Sequence, residues 1–260
     1  MTENIKAEIG KQMRDFTLER FFSNAVSVRQ ELGLAVPGKI AGDCAALSKE
    51  LAMVLVEFPG EARLHRVINL EHPQVKEGFP GAHVLLLKPT PLATFVLDPT
   101  ILHHEPFILG QDERGYSHLP SMVGGPSRVN FSNQGELVTI EHFGVQKGMG
   151  ANAIYKFHSA PECAVQATGL ENADVRQPSY VIRGVLPDGV FQMLFDPTIT
   201  KQVWWIEEGR SSPIALESSE ERRNLDRKLR PLDLDLGMAM KFLIDTPQLK
   251  RELQSERGYD

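Results

Sequence analysis

Between Arg63 and Glu207 the chain carries eight short apolar segments, none of them long enough for a substantial helix. They are Arg63–Leu70, Ala82–Lys88, Thr94–Leu97, Leu137–Phe143, Ala153–Phe157, Tyr180–Val185, Val190–Phe195 and Gln202–Glu207. Pro and Gly punctuate the stretches between them, as they do between strands. Pro187-Asp188-Gly189 separates two of the segments and reads as a hairpin turn. Glycine-rich stretches around Gly124-Gly125 and Gly148–Gly150 read as loops. A series of short strands cannot bury its apolar faces singly, so the middle of the chain must form antiparallel sheet.

The two ends follow the helical period instead. Over the first 35 residues Ile5, Ile9, Met13, Phe16 and Leu18 recur at near-helical spacing, and Pro37-Gly38 supplies a break. A second helix is predicted from Cys44, with Asp43 as N-cap and Leu47, Leu51, Val54 and Phe58 along one face, ending at Pro59-Gly60. Near the C-terminus Ser218 and Glu221 suggest a capping box opening Ser219–Leu229, and Thr246-Pro247 places a cap and a first-position proline before a last helix. Helices, then strands, then helices make an α+β chain. The texture divides it at 1–75 (helical), 76–177 (β-rich) and 178–260 (a β-hairpin plus helices).

Composition limits the partners. With 42% hydrophobic and 24% charged residues the 260-residue chain is of ordinary globular make-up. A net charge of −6 argues against a nucleic-acid binder with a broad basic face. No apolar run approaches a membrane span, and the N-terminus lacks a signal-peptide core, so the expectation is a soluble cytoplasmic protein with neither nucleic acid nor membrane as partner. Cys44 and Cys163 make neither a disulfide framework nor a four-thiolate zinc site. Nothing in the sequence sets the oligomeric state.

Three residues carry the candidate chemistry. Cys44 falls at a predicted helix start, where backbone N–H groups and the helix dipole favour a thiolate. Taken singly, a cysteine beside an apolar helix is more often a small core residue. His83 opens the strand Val84-Leu85-Leu86-Leu87 and is of the type that accepts a thiol proton and returns it. Asp98 ends the next strand, Phe95-Val96-Leu97, where a carboxylate can hold the imidazole's tautomer and orientation. Asp98-Pro99-Thr100 also fits a simple turn, and Asp196-Pro197-Thr198 repeats it, so the tripeptide is not diagnostic. His83 follows Cys44 by 39 positions and Asp98 follows His83 by 15. The expected geometry puts one ring nitrogen of His83 against the sulfur and the other against Asp98.

This Cys–His–Asp order, through GDCAALSKELAMVL, AHVLLLK and FVLDPT over Gly42–Thr100, resembles the papain-like superfamily branch that holds transglutaminases and arylamine N-acetyltransferases. AIYKFHSAP at Ala153–Pro161 and the Pro-Asp-Gly hairpin within Pro178–Lys201 are similar to the acetyltransferases in particular. The resemblance implies a helical part carrying the nucleophile, a central antiparallel sheet or barrel and a C-terminal α/β lid. It implies catalytic roles for Cys44, His83 and Asp98, no tightly bound cofactor, and an acyl-CoA or acyl-carrier-protein thioester as co-substrate. The family's Arg-Gly-Gly-x before the cysteine is replaced here by Ala41-Gly42-Asp43, and its Pro-Phe-Glu-Asn segment is not recognisable. Related folds also act as amide synthases and as Dieckmann-type cyclases on carrier-bound thioesters, a role this divergence fits. The same triad can take a glutamine or peptide amide as donor, giving a deamidase, crosslinker or protease, and a third reading makes the three residues structural.

Other features are plainer. His103-His104-Glu105 lacks partners at metal-ligand spacing, and no metal is expected. Gly148-Met149-Gly150 lacks the strand–turn–helix context of a dinucleotide site. Trp204-Trp205 suits one ring in the core and one outside, the mixed charges of Glu220–Arg223 and Arg227–Arg230 suit a solvated helix face, and Cys163 reads as a structural thiol.

Overall fold

The structure is a computed structural model that describes residues 1–36, 39–67, 69–71, 83–100, 105–120, 126–143, 151–165, 180–186, 189–197, 202–207, 210–214 and 219–256. The class is α+β. Its helices are α1 (Thr2–Glu19), α2 (Val26–Glu31), α3 (Cys44–Val54), α4 (Ser219–Leu229) and α5 (Leu236–Glu256). Two short strands, β1 (Phe21–Ser23) and β2 (Ile40–Gly42), lie between the early helices. The middle of the chain supplies β3 (Arg63–Arg66), β4 (Asn69–Glu71), β5 (Val84–Pro89), β6 (Thr94–Leu97) and β7 (Phe107–Ile108). It continues with β8 (Glu113–Pro120), β9 (Pro126–Gln134), β10 (Leu137–Phe143), β11 (Ala151–His158) and β12 (Ala164–Val165). The last strands are β13 (Tyr180–Leu186), β14 (Gly189–Phe195), β15 (Val203–Glu207) and β16 (Arg210–Pro213).

The chain gathers into two compact units, each assembled from separated stretches: Met1–Thr17 with Cys44–Asn172, and Leu18–Asp43 with Ala173–Asp260. In the first unit two five-stranded sheets, ordered β12-β3-β5-β6-β7 and β4-β11-β10-β9-β8, share one core. Leu85, Leu87 and Val96 from one sheet meet Phe131, Ile140 and Phe157 from the other. Both sheets keep free ends in their strand order, so among the described residues they form open sheets and no closed barrel. Strand β5 is buried from Val84 to Lys88 because the second sheet covers one face and α3 packs on the other.

Helix α3 starts at Cys44 and buries Leu47, Ser48 and Leu51. The apolar line continues to Leu55, not to Val54 as the sequence suggests: Leu55 is fully buried and Val54 is 44% exposed. Spacing of four outlines the face here, and the chain tightens into a 3₁₀ turn at Leu55–Glu57 before it breaks. Lys88 is 2% exposed, and its Nζ donates to the carbonyls of Phe58 and Gly60 at 2.8 and 2.6 Å. A buried cation thus satisfies two carbonyls of the bend that follows α3 and its 3₁₀ turn. Burial lowers the pKa of Lys88.

The second unit is a six-stranded sheet, β16-β15-β14-β13-β1-β2, antiparallel except for the parallel β1–β2 pair. Its core joins Phe21, Phe191 and Trp205 to the apolar face of α5. Phe191 stacks on Trp205 at 5.1 Å between centroids and meets Phe21 edge-on at 5.6 Å. Trp205 is buried and Trp204 only partly so, as the alternation of a strand requires.

Three further sequence expectations change. The first 35 residues are not helical throughout, because Phe21-Phe22-Ser23 alternates buried and half-buried side chains and enters the sheet as β1. Arg63–Leu70 divides into β3 and β4, which belong to different sheets. Thr246-Pro247 starts no helix: α5 runs through it, with Thr246 Oγ1 donating to the Phe242 carbonyl at 2.6 Å. The buried face of Ala239, Met240, Phe242 and Leu243 holds the helix together across the missing proline N–H. Gly124-Gly125, Gly148–Gly150, His103-His104, Pro187-Asp188, Thr198 and Ser218 lie outside the described residues. Among the described residues no helix is long and apolar enough to cross a membrane, and no three His, Cys, Asp or Glu side chains cluster as a metal site.

Candidate active site

Cys44, His83 and Asp98 all belong to the first unit, and the fold brings them together. Strand β5 pairs with β6 so that Leu86 faces Leu97. Extending that register puts Asp98 opposite Leu85 and makes His83 its diagonal neighbour on the same face. The two side chains span the gap, with His83 Nε2 2.5 Å from Asp98 Oδ2. Helix α3 lies on the same sheet, tied by Ser48 Oγ donating to the Val84 carbonyl at 3.4 Å. Cys44 is one turn earlier, and its side chain hydrogen-bonds to His83. Since Asp98 occupies Nε2, Nδ1 is the ring nitrogen left for the sulfur.

The surroundings immobilise the pair. The His83 carbonyl accepts from the Val67 N–H at 2.9 Å, which fixes the backbone. The Tyr155 ring packs on the imidazole with centroids 5.0 Å apart. Asp98 Oδ1 accepts from both the backbone N–H and the hydroxyl of Thr100, at 3.0 and 2.7 Å. Cys44 is 8% exposed and Asp98 6%. Sequence reasoning did not single out Ser48, Thr100 or Tyr155. The only signal for Thr100 was the Asp-Pro-Thr turn, and for Tyr155 the Tyr-x-Phe strand.

Burial by itself lowers the pKa of His83, but the Asp98 charge and the hydrogen bonds with Asp98 and Cys44 outweigh it and hold the ring well above its ordinary value. Burial raises Asp98, yet the His83 charge and the bonds from His83 and Thr100 overcome that and leave it low. Both directions favour the charged ring, which faces a carboxylate on one side and the sulfur on the other. A second buried histidine in this unit, His65, behaves oppositely. Its Nδ1 lies 2.9 Å from the His158 carbonyl and burial lowers its pKa, which suits a neutral packing residue.

These directions fix a pH dependence of stability. A raised His83 stabilises the fold fully below about pH 6.5 and loses that contribution as pH climbs through its folded value. A lowered Asp98 contributes above about pH 4 and loses it as pH falls through its own folded value. The urea midpoint of the wild type should exceed that of His83→Gln most between these limits, and the gap should shrink above pH 6.5. A gap that stays constant to pH 10 would refute the charged pair.

No protein-family model matches the chain, and no curated protein matches it. Solved structures match it in fold. The Mycobacterium abscessus arylamine N-acetyltransferase aligns over 93% of this chain and 88% of its own, with 12% identity and a TM-score of 0.61. The Mycobacterium marinum arylamine N-acetyltransferase in complex with CoA aligns over 98% of this chain and 93% of its own, with 13% identity and a TM-score of 0.56. A Bacillus cereus arylamine N-acetyltransferase, described as having a unique Cys-His-Glu catalytic triad, aligns over 89% and 92%, with 12% identity and a TM-score of 0.55. At such identities the likeness establishes the shared fold.

Proposed function

We propose that this chain, which has the fold of the arylamine N-acetyltransferases, is a thiol acyltransferase working through an acyl-Cys44 intermediate. The observation that carries the reading is the buried His83–Asp98 pair, 2.5 Å apart, hydrogen-bonded on to a cysteine at the first position of a helix. Cys44 is the nucleophile, His83 its acid and base, and Asp98 the group that orients and charges the ring.

The cycle opens as His83 Nδ1 takes the proton of the Cys44 thiol. The sulfur attacks a thioester carbonyl, and the Cys44 backbone N–H at the helix start supports the oxyanion. Collapse of that intermediate breaks the donor's C–S bond, and the departing thiolate takes the Nδ1 proton. His83, now neutral, removes a proton from the acceptor as its nitrogen or carbon attacks acyl-Cys44. Expulsion of the Cys44 thiolate, which takes its proton back from Nδ1, restores the starting pair. The CoA complex of the M. marinum enzyme supports a CoA thioester as donor. The replacement of Arg-Gly-Gly-x by Ala41-Gly42-Asp43 favours an acyl group or acceptor other than the acetyl–arylamine pair. Amide synthesis or Dieckmann-type cyclisation of a carrier-bound thioester fits that departure.

Intact-mass measurement on the full chain, incubated with a panel of acyl-CoA and acyl-pantetheine thioesters, tests the reading. One donor should add a single acyl increment and release one thiol per chain, and Cys44→Ala should gain none. If no thioester adds mass, and ammonia is instead released from a glutamine-bearing protein, the donor is an amide and the thioester reading fails.

A further inference from the structure

We infer that Thr100 is a positioning residue of this site: it selects which oxygen of Asp98 faces His83 and keeps that carboxylate charged and still. The inference rests on the acyl-transfer reading above for its kinetic consequence, but not for its geometry. A carboxylate side chain rotates between two equivalent oxygens unless something distinguishes them. Here both donors of Thr100, the backbone N–H at 3.0 Å and the hydroxyl at 2.7 Å, converge on Oδ1. Oδ2 is left for His83 Nε2 at 2.5 Å. Thr100 is itself 3% exposed, so water does not substitute for its hydroxyl.

The intervening Pro99 makes the arrangement local and preset. Its ring fixes φ, so residue 100 is returned toward the Asp98 side chain in an Asx turn with little conformational freedom left to lose. Three donors thus meet one buried carboxylate: two from Thr100 and one from the imidazole. Such a group is stabilised in its charged form, and Asp98 is held low against its burial by the His83 charge and hydrogen bond and then by both Thr100 bonds. The charge on Asp98 is in turn what sustains the imidazolium of His83. Removing one donor from Oδ1 therefore acts at a distance, on the ring and on Cys44, although Thr100 touches neither a reacting atom nor the sulfur.

Thr100→Val removes the hydroxyl and keeps the shape, while Thr100→Ser restores it. The readout is the pH profile of iodoacetamide alkylation at Cys44, followed by mass, alongside the single-turnover acylation rate with the best thioester. In Thr100→Val the alkaline limb set by His83 should move down by about half to one pH unit, and acylation should slow about tenfold with KM unchanged. Thr100→Ser should return both to within about twofold of wild type. A Thr100→Val protein with the wild-type limb and rate would overturn the inference. So would a Ser variant that fails to rescue while melting as the wild type does. Should Thr100→Val not fold, Thr100→Ala carries the same comparison. Alkylation needs no acyl donor, so the test stands even if no thioester acylates Cys44, which is the separate failure of the proposed function.

Discussion

Asp98→Asn should lower Cys44 acylation by about 10³- to 10⁴-fold while leaving the protein folded. The size of the effect follows from which atoms Thr100 holds. Its N–H and hydroxyl both donate to Oδ1, so in the variant the amide oxygen must occupy that place. The amide NH₂ then points at His83 Nε2, which can only accept. The ring proton is thereby forced onto Nδ1, the nitrogen facing Cys44, and a neutral ring in that tautomer cannot take the thiol proton. The Asp98 charge, the largest support for an imidazolium, is gone, so the charged pair is lost as well. Acyl release and intact mass report the rate, and a urea midpoint shows that the fold survives. A variant that kept more than about a tenth of the wild-type rate would mean that Asp98 does not set the tautomer.

The same residues show what a sequence can and cannot disclose. The strands of the core announce themselves because their burial follows a local period: Thr94–Leu97 and Leu137–Phe143 have the bounds that their apolar runs suggest. β8 and β9 do not, since the polar residues of Glu113–Pro120 and Pro126–Gln134 dilute the pattern, and Val129 and Phe131 are the buried apolar pair of β9 among its described side chains. Their membership of a sheet is decided by β10, against which β9 pairs along its length. β1 is hidden in the same way, a three-residue alternation inside a helix-rich stretch. At Thr246-Pro247 the local signal is strong and still yields to packing along α5.

Cys44, His83 and Asp98 are legible because each sits at the end of an element that can be read locally, and their spacing joins them. Thr100 was legible only as half of a turn. Asp196-Pro197 opens the same tripeptide after β14, where Asp196 is half-buried, so the letters alone do not place a histidine beside the carboxylate. What separates the two is the neighbour across the sheet: His83 lies beside Asp98 because β5 pairs with β6 in one particular register. Register is a property of two strands, and no single stretch of chain contains it.

The other large effect lies far from the sulfur in sequence. Gly60→Ala should destabilise the first unit by about 2–5 kcal/mol, a substantial part of the stability of an ordinary domain. Gly60 has φ +97°, a conformation that L side chains rarely adopt. A Cβ there would stand 2.2 Å from the Pro89 carbonyl oxygen, which is backbone and cannot swing aside. The strain adds to the overlap, and either the turn or the end of β5 has to move. Both routes disturb the same fixture, because Lys88 Nζ donates to the Gly60 carbonyl at 2.6 Å and to Phe58 at 2.8 Å. That buried cation ties the turn that follows α3 to β5, and β5 follows directly on His83. A shift at Gly60 or Pro89 therefore disturbs the strand that leads back to His83. The variant should unfold at lower urea and, in its folded fraction, alkylate Cys44 with a weakened dependence on His83 ionisation. Gly135→Ala, in the same unit, is the matched control, with φ +65° and nothing within 4 Å of an added Cβ. It should cost only the backbone strain, about 1 kcal/mol. If the two variants melt together, close approach to Pro89 is not what requires glycine at position 60.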